Sequence, residues 1–103
     1  MTNKFDFVKL VKLPSTDKKK FKVILKNNET NRENTIKFGA SGYEHYTSGH
    51  LDEKRKKAYI ERHKTREDWT KSGVDTPGFW AYHLLWKYKT YYEAMKNILL
   101  DYF

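Results

Sequence analysis

Four histidines, His45, His50, His63 and His83, lie near Glu44, Asp52 and Glu67 in the sequence. Such a set could hold a divalent ion and activate water for phosphodiester cleavage. The spacing argues against it. There is no HExxH, no histidine pair on one helical face and no cysteine partner. Structural histidines are therefore expected, with no catalytic residue, metal or cofactor assigned. Ser41, His45 and Asp52 supply the side chains of a nucleophile, a base and an orienting acid, but no nucleophile elbow surrounds Ser41. Gly39 and Gly42 could bring backbone N–H groups up to a phosphate, because glycine accepts positive φ. An ordinary turn between Phe38 and Tyr43 is the simpler reading.

The arginines carry more information. Arg55, Arg62 and Arg66 recur at seven and four residues, and the guanidinium fork suits bidentate binding of phosphate or carboxylate. Tyr43, Tyr46 and Tyr59 are placed to stack on bases or on those arginines. In the competing reading the arginines pair with Glu44, Asp52, Asp68 or Asp75 and fasten loop to helix. Lys18, Lys19 and Lys20, with Lys22 and Lys26 on one strand face, form one basic patch, and Lys54, Lys57 and Lys64 on a helix form another. Both could grip a nucleic-acid backbone without base readout, or could be solvated charge.

Bulk composition agrees with a polyanion partner without choosing one. The 103 residues carry 21 Lys+Arg against 13 Asp+Glu, a formal net charge of +8, which attracts phosphate or acidic protein over about a Debye length. That length allows one domain. With 17% aromatic residues a compact core is feasible although only 38% of residues are hydrophobic. Absence of cysteine excludes disulfides and thiolate chemistry and fits a reducing compartment. No apolar stretch of signal-peptide or membrane-span length occurs, so a non-secreted protein without membrane association is expected.

These side chains need elements to position them, and the sequence predicts an α+β fold. Phe5 to Leu13 reads as a strand with imperfect alternation around Val8 and Leu10, followed by turn chemistry from Pro14 to Asp17. Phe21, Val23 and Leu25 alternate with Lys20, Lys22, Ile24 and Lys26, the clearest strand. Asn27 to Asn34 is turn-biased and Thr35 to Phe38 resumes β-forming residues, giving a three-stranded antiparallel meander over residues 1–39. An aromatic and histidine loop follows over residues 40–51. Residues 52–103 supply three helices. The first is basic, capped by Asp52, and runs to about Asp68 as the longest, with Lys56, Tyr59, Ile60 and His63 on its inner face. Thr76-Pro77 starts an aromatic helix containing Phe79, Trp80, His83, Leu84 and Trp86. Thr90 and Glu93 are spaced as a capping box for the last, whose packing face is Ala94, Met95, Ile98, Leu99 and Tyr102.

The pieces Phe38-Gly39, Gly42-Tyr43, Tyr46-Thr47, His50-x-Asp52-x-x-Arg55-Lys56, Tyr59-Ile60, Arg62-His63, Glu67-x-Trp69, Gly78-Phe79-Trp80 and Leu84-Leu85-Trp86 occur in this order. The order resembles a family of small uncharacterised proteins of nucleocytoplasmic large DNA viruses of the mimivirus and phycodnavirus kind, over roughly the last two-thirds of the chain. One extra residue between Thr47 and His50 departs from the pattern, and no catalytic residue is transferred. The resemblance implies a viral origin and a place in the virion, or in host cytoplasm or nucleus during infection. The leading expectation is a non-enzymatic protein binding nucleic acid non-specifically, in genome packaging. A capsid or internal virion component docking on acidic viral protein is the alternative, and a small metal-dependent nuclease the third reading.

Overall fold

Three runs of alternating apolar residues pair antiparallel in chain order: β1 (Phe5–Lys12), β2 (Lys19–Asn27) and β3 (Glu33–Ala40). The computed structural model describes residues 4–103, so the first three residues of the expected meander lie outside the described residues. The irregular alternation in β1 has a definite cause. Its register against β2 shifts between Phe7 and Lys9, a bulge that leaves Val8 42% exposed while Phe7 pairs with Leu25 and Leu10 with Val23. Both sides of the bulge thereby point apolar residues at one face.

Each turn is fixed by a short polar side chain. Asp17 accepts from the Lys19 N–H at 2.9 Å and its own N–H donates to the Pro14 carbonyl. Asn27 Oδ1 accepts from the N–H groups of Glu29 and Thr30, and Asn31 takes the left-handed φ of 59° that asparagine tolerates. The Asn27 N–H also donates to the Arg32 carbonyl at 2.8 Å, which carries pairing past the turn. For that reason β3 begins at Glu33, two residues earlier than Thr35.

Asp52 caps α1 (Glu53–His63), accepting from the N–H groups of Lys54 and Arg55. The helix stops at His63, five residues short of Asp68. There the His63 carbonyl accepts from the N–H groups of both Arg66 and Glu67, which tightens the chain into a turn. Thr76 caps α2 (Pro77–Leu85), with proline at the first helical position. Thr90 accepts from the Glu93 N–H to start α3 (Tyr91–Tyr102), which at 12 residues exceeds the 11 of the basic helix. On α3, Ala94 and Ile98 are buried, whereas Leu99, expected on the packing face, is 39% exposed and does not belong to it.

The helical side of the sheet holds one core. Phe21, Val23, Leu25, Ile36 and Phe38 meet Phe79, Trp80, Leu84 and Leu85, and α2 lies on β3 with α3 against α2. Fully burying one such aliphatic side chain is worth about 1.5–3 kcal/mol. Trp80 is completely buried, and its indole N–H donates to the Val74 carbonyl at 2.7 Å, so the ring costs no unpaired donor. The basic helix stands differently. Its least exposed residues are Lys56, Tyr59, Ile60 and His63, as its projection predicts, and it packs on the loop at residues 46–50. Tyr59 stacks on Trp86 at 4.4 Å and 7°. Because α1 rests on this aromatic stack, a gap opens between it and the end of β3.

Candidate anion-binding cleft

That gap is a cleft of about 570 Å³ bounded by the end of β3 and the following loop, by α1, and by the first turn of α2. Lys19, Tyr43, Arg55 and Arg62 stand around it, and Ala58, Ala81 and the Tyr59–Trp86 stack supply apolar wall. Local geometry explains why each is there. Gly39 takes φ 77° at the end of β3, where a Cβ would come within 2.9 Å of Leu85, so the chain can turn toward α1 only without a side chain at this position. Arg55 and Arg62 are two turns apart on one helix, which spaces their backbones by about 10 Å.

The electrostatics of the cleft follow from who is paired with whom. Among the described residues no arginine is in an ion pair, and only Lys37 with Asp17 and Lys64 with Glu61 are lysine salt bridges, both 3.2 Å. Two of the acids expected to neutralise the arginines are engaged elsewhere. Asp52 caps α1, and Asp68 accepts from the Thr70 N–H and from the hydroxyls of Thr70 and Ser72, bonds that hold its carboxyl below the usual range. Glu67 faces the cleft but is bound from both sides, by His63 Nδ1 at 3.2 Å and by the Trp69 indole N–H at 3.1 Å. Its carboxylate lies against Gly78, where a Cβ would be 2.8 Å from Cδ, and the first turn of α2 favours negative charge. Glu44 also lines the cleft and is exposed.

His45, His50 and His83 are held by hydrogen bonds within the fold. His45 is 8% exposed, and burial, then the charge of Lys20, then His50 depress its pKa to about 4. The neutral ring accepts from the Lys20 ammonium at Nδ1, 2.9 Å away. His50 Nδ1 accepts from the Asp52 N–H at 2.8 Å and thereby steadies the start of α1. His83, 2% exposed, is pushed to about 4 by burial against the opposing effect of its bond to the Trp69 carbonyl at 2.8 Å. Among the described residues no three histidine or carboxylate groups gather as a metal site.

The structure sorts the sequence-derived residues into those at the cleft and those elsewhere. Arg55, Arg62, Tyr43 and Lys19 meet there, and Tyr43 is 71% exposed. Lys20 does not belong to an open patch. Its ammonium donates to the Tyr43 carbonyl as well as to His45, and desolvation lowers its pKa. Tyr46 is not a stacking platform: it is 1% exposed, donates from its hydroxyl to Glu53 at 2.6 Å, and lies beneath Lys56. Tyr59 is 8% exposed and already stacked on His63 and Trp86, so no base can reach its faces.

Lys18 is exposed beside the first turn, while Lys22 points away from the helices, level with Val11 and Lys37. Lys26, level with Asp6 and Glu33, shares the face of Lys22, so the five lysines do not make one patch. Lys54, Lys57 and Lys64 are exposed on the outer side of α1, the last tied to Glu61. Arg66 lies past the end of α1 and donates from Nε to the Arg62 carbonyl at 3.2 Å. Sequence reading missed the walls of the cleft. Ala58, Ala81 and Gly78 are ordinary small residues until the fold sets them side by side, and the nearest signal was Gly78 directly after the helix-starting Pro77.

Among the described residues no helix is long and apolar enough to cross a membrane. Comparison with curated proteins and with solved structures gives no match. A family model does match, from the bulge of β1 through the last residue of α1, and so takes in the hairpin as well as the helix that carries Arg55 and Arg62. Since residues 8–63 are more than half of the chain, the protein belongs to that family, a family of unknown function (DUF5754).

Proposed function

We propose that this protein is a non-enzymatic nucleic-acid-binding protein that holds phosphates without reading base sequence. One observation carries the reading: two guanidinium groups, Arg55 and Arg62, border a cleft with no carboxylate paired to either. Unpaired cations on a chain of net charge +8 release counterions when they meet a polyphosphate, and this supplies affinity independent of sequence. Lys18, Lys54 and Lys57 are exposed outside the cleft and add to the cationic surface of the chain. A virus setting, with a role in genome packaging or in the virion, is part of the proposal and rests on the sequence resemblance.

Fluorescence anisotropy with oligonucleotides of unrelated sequence tests it. Affinity falls steeply between low and physiological salt and is the same for each sequence. The Arg55→Gln/Arg62→Gln variant flattens the slope of log K against log salt by roughly 1.4 to 1.8, because each lost phosphate contact removes about 0.7 to 0.9. No binding near physiological salt, or a slope unchanged in the variant, overturns the proposal.

A further inference from the structure

We infer that the cleft receives one unpaired nucleotide, so that the preferred partner is single-stranded nucleic acid. This rests on the phosphate-binding reading of the same cleft and goes beyond it in naming the strand state. A site built only for a duplex backbone needs cations on an accessible surface. It has no use for an apolar recess, since duplex bases are stacked inside the helix. Here the cations stand on the rim of a concavity of about 570 Å³, within the size range of small-molecule sites. Its wall includes Ala58, Ala81 and the edge of the Tyr59–Trp86 stack, which is mainly apolar surface. Apolar wall beneath a cationic rim matches an unstacked base joined to its phosphate.

Tyr43 completes the arrangement. Its side chain is 71% exposed at the rim, while its carbonyl is pinned by Lys20, so the ring is presented on an anchored backbone. An exposed aromatic beside arginines is the combination that stacks unpaired bases regardless of identity. Tyr92, although 81% exposed on α3, does not line the cleft.

Labelled oligothymidylate and a mixed-sequence duplex with equal phosphate number are compared at one salt concentration. The single strand binds at least roughly tenfold tighter, and Tyr43→Ala removes about that factor for the single strand, as loss of one stacked base does. Tyr43→Phe keeps the ring face and the affinity. Ala58→Leu, at an exposed position of α1 where leucine is a good helix former, fills the recess without changing charge. It weakens single-strand binding by a larger factor than duplex binding. Equal or tighter binding of the duplex, or single-strand affinity indifferent to both Tyr43→Ala and Ala58→Leu, overturns the inference while the salt slope still upholds phosphate binding. Absence of salt-dependent binding to either ligand overturns both.

Discussion

Replacing Gly73 with alanine tests the part of the fold that joins α1 to α2. A Cβ at this position would lie 2.0 Å from the Asp68 carbonyl oxygen and 2.9 Å from its carbon. The carbonyl would have to retreat by about 1 Å to reach the closest separation that side chains tolerate. It is not free to do so. The Asp68 side chain is bonded to Thr70 and Ser72, the Gly73 N–H donates to the Thr70 carbonyl at 2.9 Å, and the next residue, Val74, is 5% exposed and accepts from the buried Trp80 indole. Overpacking of this kind costs about 1–3 kcal/mol and more when backbone must move. Alanine returns about 0.4–1 kcal/mol by restricting the unfolded chain. A net loss of about 2 kcal/mol lowers the melting temperature of a domain this size by roughly 8–16 °C. Thermal unfolding followed by circular dichroism measures it. Gly42→Ala serves as comparison, because that site has open space around it but a φ of 85°, a conformational cost of about 1 kcal/mol. If Gly73→Ala melts within about 2 °C of the parent, the packing of this connection is not as described.

Two further outcomes follow from the interior. Lys20→Met leaves His45 Nδ1 buried without a donor and the Tyr43 carbonyl unpaired, a loss of about 1–3 kcal/mol in denaturant unfolding, whereas the salt slope of DNA binding stays at the parent value because this ammonium is committed to the protein. An altered slope with unchanged stability would contradict that assignment. Stability also depends on pH through His45 and His83, whose folded pKa of about 4 lies below the unfolded value of 6.5. Between these values the unfolded chain binds protons that the folded chain refuses, so the stabilising contribution is complete above about pH 6.5 and is lost as pH falls toward 4. The loss is on the order of 1–3 kcal/mol per histidine. Asp17 and Asp68, whose pKa values are lowered from 3.8, add their own loss only at more acidic pH. A melting temperature constant from pH 7 to pH 4.5 would refute buried neutral histidines.

Period, turn chemistry and capping residues were legible in the amino-acid order because they act over a few residues. Alternation of Phe21, Val23 and Leu25 is enough to build β2, Asp52, Thr76 and Thr90 are enough to start three helices, and Lys56, Tyr59, Ile60 and His63 mark one face by spacing alone. Charge was legible too, but not its partners. Whether Lys20 is a solvated cation or the support of a buried imidazole depends on His45, 25 residues away, and no local pattern records that distance.

Tyr43, Tyr46 and Tyr59 are alike as letters. One is an exposed ring, one an interior hydrogen-bond donor, and one part of an aromatic stack, because burial is decided by what the chain brings back from residues 53–86. Tertiary structure alone set Arg55 and Arg62 beside a cleft between a helix and a strand end, since a cavity belongs to surfaces that meet and not to either segment.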